Sequence, residues 1–334
     1  MDSIIMALKA YKTKKTGEPR SDNTIKLYVS LLNSLYNKLG NSSPLKDLNF
    51  LLKTEKITEV LKSLAIGSQK NYYSACIAGL EVHTNIYNKK EADEAMQYYK
   101  DMISLIFDIL SKKPSLMKTE KQDKNWTTVK ELQSVMVAYK KELSRRGTFK
   151  KKEEDLTQIE HDLLKKWLIT CLYVVDPKNN PPLRSDYSPM KIITKKLYDG
   201  LDEKQLRENY LVIVSRNGKF FSLGNYKTSN KYGVKQLKIF PKLNTALNLY
   251  LGVYKGKYLF LNKSNKIPLT PNAFGKMVVR AFESTGKNIS INLIRHIVIT
   301  EFNPPTGPTA DEKDALASKM CHSTGMQNDY IKSD

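Results

Sequence analysis

Cysteine is scarce in this 334-residue chain: Cys76, Cys171 and Cys321 are the only three, far apart and in no CxxC pair. That excludes a disulfide framework and a zinc cage. With four histidines besides, no metal site is expected. No apolar run approaches the ~20 residues a membrane helix needs. The opening MDSIIMALKAYKTKK places a short apolar stretch ahead of its charges, the reverse of a secretory signal. The expectation is a soluble, intracellular protein without a membrane partner. Nucleotide loops of the GxxxxGKS/T and GxGxxG kinds are missing, as is a GxSxG nucleophile elbow.

Positive charge is what the chain has in excess. Its formal net charge is +21, at a sequence pI near 9.6. Residues 1–124 carry +6 and residues 125–334 carry +15, so the surplus is concentrated in the second part. A surplus of this size attracts polyanions, because each Lys or Arg that neutralises a DNA phosphate releases condensed counterions. A solvated lysine-rich surface is the plainer explanation of the same number. Hydrophobic residues make up 40 % of the chain, enough for real cores.

Apolar residues at Ile25, Tyr28, Leu32, Leu35, Tyr36 and Leu39 step by three and four and predict a helix over 23–39, capped by Ser21, Asp22 or Asn23 and closed by Gly40. Further helical patterns cover roughly 52–65, 68–85 and 89–112. Cys76 and Cys171 fall in apolar helical patterns and are expected in cores. The polar, proline-containing stretch Pro114–Asn125 reads as a linker. Thr128 and Glu131 fit a capping box ahead of the stripe Leu132, Val135, Tyr139 and Leu143, and a second helix runs over about 158–174. Short strand-like runs then appear at 211–214, 219–223 and 234–240, the first two joined through Asn217-Gly218, a tight-hairpin pair. Helices return near 242–254, 271–284, 290–302 and 310–320, with a terminal turn around Tyr330. The expected fold is mainly α with a small antiparallel β-sheet. Its divisions are a helical domain over 1–115, a linker over 116–125 and a second domain over 126–334.

Four segments carry candidate chemistry. Pro181-Pro182-Leu183-Arg184-Ser185-Asp186-Tyr187 sets Arg184 after two prolines, where Asp186 can orient it. Tyr226-Lys227-Thr228-Ser229-Asn230-Lys231-Tyr232-Gly233 is a basic turn between two strands. In Ile291-Asn292-Leu293-Ile294-Arg295-His296-Ile297-Val298-Ile299-Thr300 a guanidinium is embedded among Ile and Leu, which is expensive unless an anion or acceptors await it. Ala315-Leu316-Ala317-Ser318-Lys319-Met320-Cys321-His322-Ser323 is followed, eight residues after His322, by Tyr330. With no carboxylate cluster of the two-metal nuclease kind, chemistry on a phosphodiester would rest on these positive side chains.

In this order and span the segments resemble the tyrosine recombinase family, whose members break and rejoin DNA, and most nearly its branch in eukaryotic large DNA viruses and related mobile elements. The resemblance covers about Thr127 to Tyr330, and the helical first part looks like the family's core-binding domain. It implies catalytic roles for Arg184, Lys227, Arg295, His322 and Tyr330. Tyr330 is then the nucleophile of a 3′-phosphotyrosyl intermediate, and neither ATP nor a metal nor any other cofactor is needed. Asn292, His296 and Asp186 would support the site, and Lys231 and Lys235 would contact DNA. Two positions depart from the family pattern: Asn292 stands where it has His or Lys, and Cys321 where it has Gly. The implied partner is double-stranded DNA, and the expected location is the site of that DNA, the nucleus or a viral replication compartment. A monomer is expected in free solution and a homo-oligomer, a tetramer, on DNA. A type IB topoisomerase, or a DNA-binding protein with a decayed site, would share many of these features.

Overall fold

The computed structural model describes residues 2–13, 17–82, 89–111, 117–262, 267–302, 309–321, 323, 325 and 328–332. The chain divides into two compact units, Met1–Pro114 and Ser115–Asp334.

The first unit is helical: α1 (Asp2–Ala10), α2 (Asp22–Lys38), α3 (Thr54–Lys62), α4 (Ile66–Val82) and α5 (Lys89–Ser111). Helix α2 begins where its sequence predicts, with the Ser21 side chain accepting the Thr24 backbone N–H. Its Ile25, Leu32 and Leu35 are buried together with Tyr73, Cys76 and Tyr99. At Gly79, inside α4, an added Cβ would come within 2.9 Å of Leu51 Cδ1 and 3.3 Å of Leu48 Cδ1, so those side chains would have to shift. The helix thus packs closely onto the turn Asn49–Leu52. No helix among the described residues is long and apolar enough to cross a membrane.

In the second unit, α6 (Glu120–Asn125) occupies sequence expected to be linker. It buries none of its residues, so no apolar stripe announces it. A reciprocal capping box between Thr119 and Gln122 starts it. Helix α7 (Val129–Arg145) is capped by Thr128, as its sequence predicts. It packs on α8 (Gln158–Val174), which is buried almost all round from Leu164 to Val174 and forms the axis of the core. A capping box of Thr157 and Glu160 opens α8.

A four-stranded sheet follows. Its members are β1 (Lys191–Thr194), β2 (Asn209–Ile213), β3 (Lys219–Leu223) and β4 (Lys235–Lys238), in that spatial order. A short helix, α9 (Lys195–Asp199), leads from β1 toward β2, and another, α10 (Ser229–Tyr232), lies between β3 and β4. The pairs β2–β3 and β3–β4 are antiparallel, as expected. The expectation of a purely antiparallel sheet fails at β1, which pairs parallel to β2 with Lys191 opposite Tyr210. Four residues running straight into a helix cannot display an alternating pattern, and the partner lies a crossover away. The far side of β1 is also occupied: Ile192 N–H donates to the Lys257 carbonyl at 2.9 Å and Leu259 N–H to the Met190 carbonyl at 2.8 Å.

Lys219, at the start of β3, is buried. Its ammonium donates to the Arg216 carbonyl at 2.9 Å and to the side-chain oxygens of Asn244 (2.8 Å) and Asn248 (2.6 Å). Both asparagines belong to α11 (Pro241–Val253), so the hairpin turn is tied to that helix. Helices α12 (Pro271–Ala281), α13 (Ile291–Phe302) and α14 (Ala310–Lys319) complete the unit. Proline occupies the first turn of α11 and of α12, where its missing N–H costs nothing.

Candidate active site

Arg295 is the centre of the site. It lies in the buried run Leu293–Ile299 of α13 and is fully inaccessible to solvent. Its Nη1 donates to the Pro182 carbonyl at 2.5 Å and its Nε to the Tyr330 hydroxyl at 3.4 Å. The guanidinium also sits 5.0 Å from the centre of the Tyr330 ring. Nη2 is buried and has no hydrogen-bond partner among the described residues. Burial depresses the pKa of this guanidinium, an effect that the neighbouring Tyr330 opposes.

Arg184 also hydrogen-bonds the same phenol. The core holds its loop: Tyr173 of α8 donates its hydroxyl to the Arg184 carbonyl at 3.0 Å, and Arg295 holds Pro182 two residues earlier. Asp186 touches Arg184 through the backbone, accepting its N–H at 3.1 Å. The orienting contact is thus to the main chain. Burial raises the Asp186 pKa against the pull of Arg184 and Arg295.

Tyr330 is 7 % exposed. Burial works to raise its pKa, but charge and hydrogen bonding from Arg295, then from Arg184, outweigh that, and the phenol ends below its ordinary value. Two guanidinia thereby favour its phenolate form. The terminal segment packs on its own chain, Tyr330 and Ile331 burying against Ile299 and Met320. His296 stands beside it, the ring centroids 4.7 Å apart, with Nδ1 2.8 Å from the Tyr330 carbonyl oxygen.

The remaining candidates lie around this core. Lys227 is exposed, directly after β3 and before α10. The next residue, Thr228, donates its hydroxyl to the Cys321 carbonyl at 3.3 Å, and Lys235 Nζ donates to the Ser318 carbonyl at 3.3 Å. These contacts bind the β3–β4 connection to the C-terminal end of α14. Lys231 and Lys235 flank the Tyr232 ring, at 5.2 and 5.4 Å. Asn292 is exposed in the first turn of α13, one turn before Arg295. His322 lies outside the described residues.

Sequence reasoning overlooked Pro182, whose carbonyl holds Arg295, and Thr300, whose hydroxyl donates to the Tyr330 carbonyl at 3.4 Å. The signal for Thr300 was its helical spacing: it stands one turn after His296, as Ile299 does after Arg295. Cys321 has φ of +57°, the left-handed region in which glycine is at ease, and it is the one non-glycine residue with positive φ among those described. Cys321→Gly would lose about 1 kcal/mol of thiol burial and regain about as much from backbone strain, so its stability should stay within about 1 kcal/mol of the parent. Cys321→Val, β-branched in the same conformation, should be destabilised by about 2 kcal/mol or more. Urea denaturation of both variants checks this.

Compared by sequence, the chain matches no protein-family model and no curated protein. Compared by structure, it is similar to the crystal structure of XerA recombinase, with 13% identity and a TM-score of 0.37 over 100% of this chain and 94% of that one.

Proposed function

We propose that this protein cleaves and rejoins duplex DNA, Tyr330 forming a 3′-phosphotyrosyl intermediate. The observation that carries the proposal is Arg295 Nη2, a buried donor with no acceptor among the described residues, on the guanidinium that touches a phenol of lowered pKa. Leaving a buried donor unmade costs about 1–3 kcal/mol. A nonbridging oxygen of a phosphodiester would supply the missing acceptor just where the phenol can attack.

In the proposed step the Tyr330 hydroxyl gives up its proton and its oxygen bonds to phosphorus, while the bond from phosphorus to the 5′ oxygen breaks. That oxygen takes up a proton and leaves as a 5′ hydroxyl. Arg295 and Arg184 meet the charge that develops on the nonbridging oxygens. One phosphate diester replaces another, so the energy of the broken bond is kept and attack by a 5′ hydroxyl reverses the step. If that hydroxyl belongs to another strand, the outcome is recombination. The net charge of +21 supports a polyanionic substrate.

The test is incubation with a nicked duplex in which the short fragment bearing the freed 5′ hydroxyl diffuses away after cleavage. A covalent adduct of DNA with the 38.2 kDa chain, stable to denaturation, is expected. A decayed DNA-binding protein would give none. Relaxation of supercoiled plasmid without strand exchange would favour a topoisomerase over a recombinase.

Lys227 is the proposed proton donor to the leaving oxygen. It is exposed, next to Thr228, whose hydroxyl donates to the Cys321 carbonyl, which supports that role. Lys227→Ala should slow adduct formation on ordinary DNA and recover on a 5′-bridging phosphorothiolate, whose sulfur leaves without a proton. Normal DNA binding without rescue would transfer the role to Lys231.

A further inference from the structure

Tyr330 is held by its backbone as well as by its hydroxyl. Its carbonyl oxygen lies 2.8 Å from His296 Nδ1 and 3.4 Å from Thr300 Oγ1, and the same Thr300 oxygen accepts the Lys332 N–H at 3.0 Å. His296 and Thr300 are one turn apart on α13 and so share a face. A carbonyl only accepts, so Nδ1 carries a hydrogen whether the imidazole is neutral or charged. The Tyr330 hydroxyl is held separately, by Arg295 Nε at 3.4 Å and by Arg184. The backbone contacts, with Ile331 buried against Ile299 and Met320, fix the stretch of chain from which the phenol projects.

We infer that His296 and Thr300 form a clasp that seats Tyr330 on α13 of its own chain, so that the phenol attacks a phosphate bound by the arginines of the same molecule. The inference rests on the reading of Tyr330 as nucleophile. The two are positioning residues: His296 is buried, Thr300 is half-buried, and both act through the tyrosine backbone. A misplacement of about 1 Å can cost on the order of 10²-fold in rate.

Single-turnover adduct formation on DNA should therefore fall about 10²-fold in His296→Ala and in Thr300→Val, with DNA affinity unchanged within about twofold. His296→Asn, whose side-chain amide can present an N–H toward the same carbonyl, should recover much of the rate, and His296→Leu should not. The rise of cleavage with pH should move to higher pH in His296→Ala, because a phenol adrift from Arg295 loses the charge that lowers its pKa; a purely structural role would not move it.

Mixed assemblies test the cis arrangement. An Arg184→Ala chain with a Tyr330→Phe chain should give no adduct, and adding His296→Ala and Thr300→Val to the former should allow one as the released tyrosine reaches across. Adduct in the simple mixture, or clasp variants as fast as the parent, would overturn the inference. Absence of any adduct from the parent protein would instead overturn the nucleophile itself. Should His296→Ala fail to fold, His296→Asn and Thr300→Val decide the question by the same rates.

Discussion

Tyr330→Phe should form no covalent adduct at any time of incubation, while binding DNA as tightly as the parent protein. The substitution deletes the one oxygen that would join phosphorus and removes no positive charge. Its structural cost is the loss of the hydroxyl's bonds from Arg295 Nε, 3.4 Å long, and from Arg184, each worth about 1–3 kcal/mol. The ring keeps its place against His296 and the guanidinium. Gel separation under denaturing conditions and a binding titration settle both halves. An adduct persisting in Tyr330→Phe would dismiss the assignment, and Tyr226 and Tyr232 would be tested next.

Arg295→Met should lose adduct formation by ~10³-fold or more, the scale on which an arginine acts in phosphoryl transfer. Its thermal stability tells a second story. Arg295 is wholly buried and Nη2 has no partner among the described residues, so the native state bears a desolvation cost that a thioether of similar length does not. Against that gain stands the Pro182 carbonyl, which loses its 2.5 Å bond, at about 1–3 kcal/mol. The two nearly offset, and Tm should stay within a few degrees of the parent, since 1 kcal/mol shifts a unit of this size by about 2–4 °C. A residue kept for packing alone would show the opposite: a large fall in Tm and little change in rate. The pH dependence follows the same logic. The parent's rate should rise with pH and level off below the ordinary phenol pKa, because the folded site lowers it. In Arg184→Ala that limb should move to higher pH, since one of the two cations stabilising the phenolate is gone.

Much of this was legible in the residues because local rules act on short spans. Ser21, Thr128 and Thr270 accept backbone N–H groups at the starts of their helices, and the stripes behind them are long enough to fix the helical period. What escaped depends on partners far along the chain. β1 is defined by a parallel neighbour. α6 has no buried face, so only its capping box could betray it. In the site, Arg295 was conspicuous as a guanidinium among Ile and Leu, but its bond to the Pro182 carbonyl spans more than a hundred residues and involves a backbone atom that every residue possesses. The left-handed conformation of Cys321 was foreshadowed only by the glycine that the resembling family has there.

The way β1 is flanked bears on solubility. An open sheet commonly leaves two rows of unpaired peptide groups, each a template on which another chain can crystallise as a fibre. Here the backbone around Lys257–Leu259 already engages the outer side of β1, while β4 carries Lys235 and Lys238 at its ends. A strand arriving at β4 would have to settle among ammonium groups, one of them engaged by the Ser318 carbonyl. Concentrated preparations of the folded protein should therefore resist amyloid-type growth from this sheet.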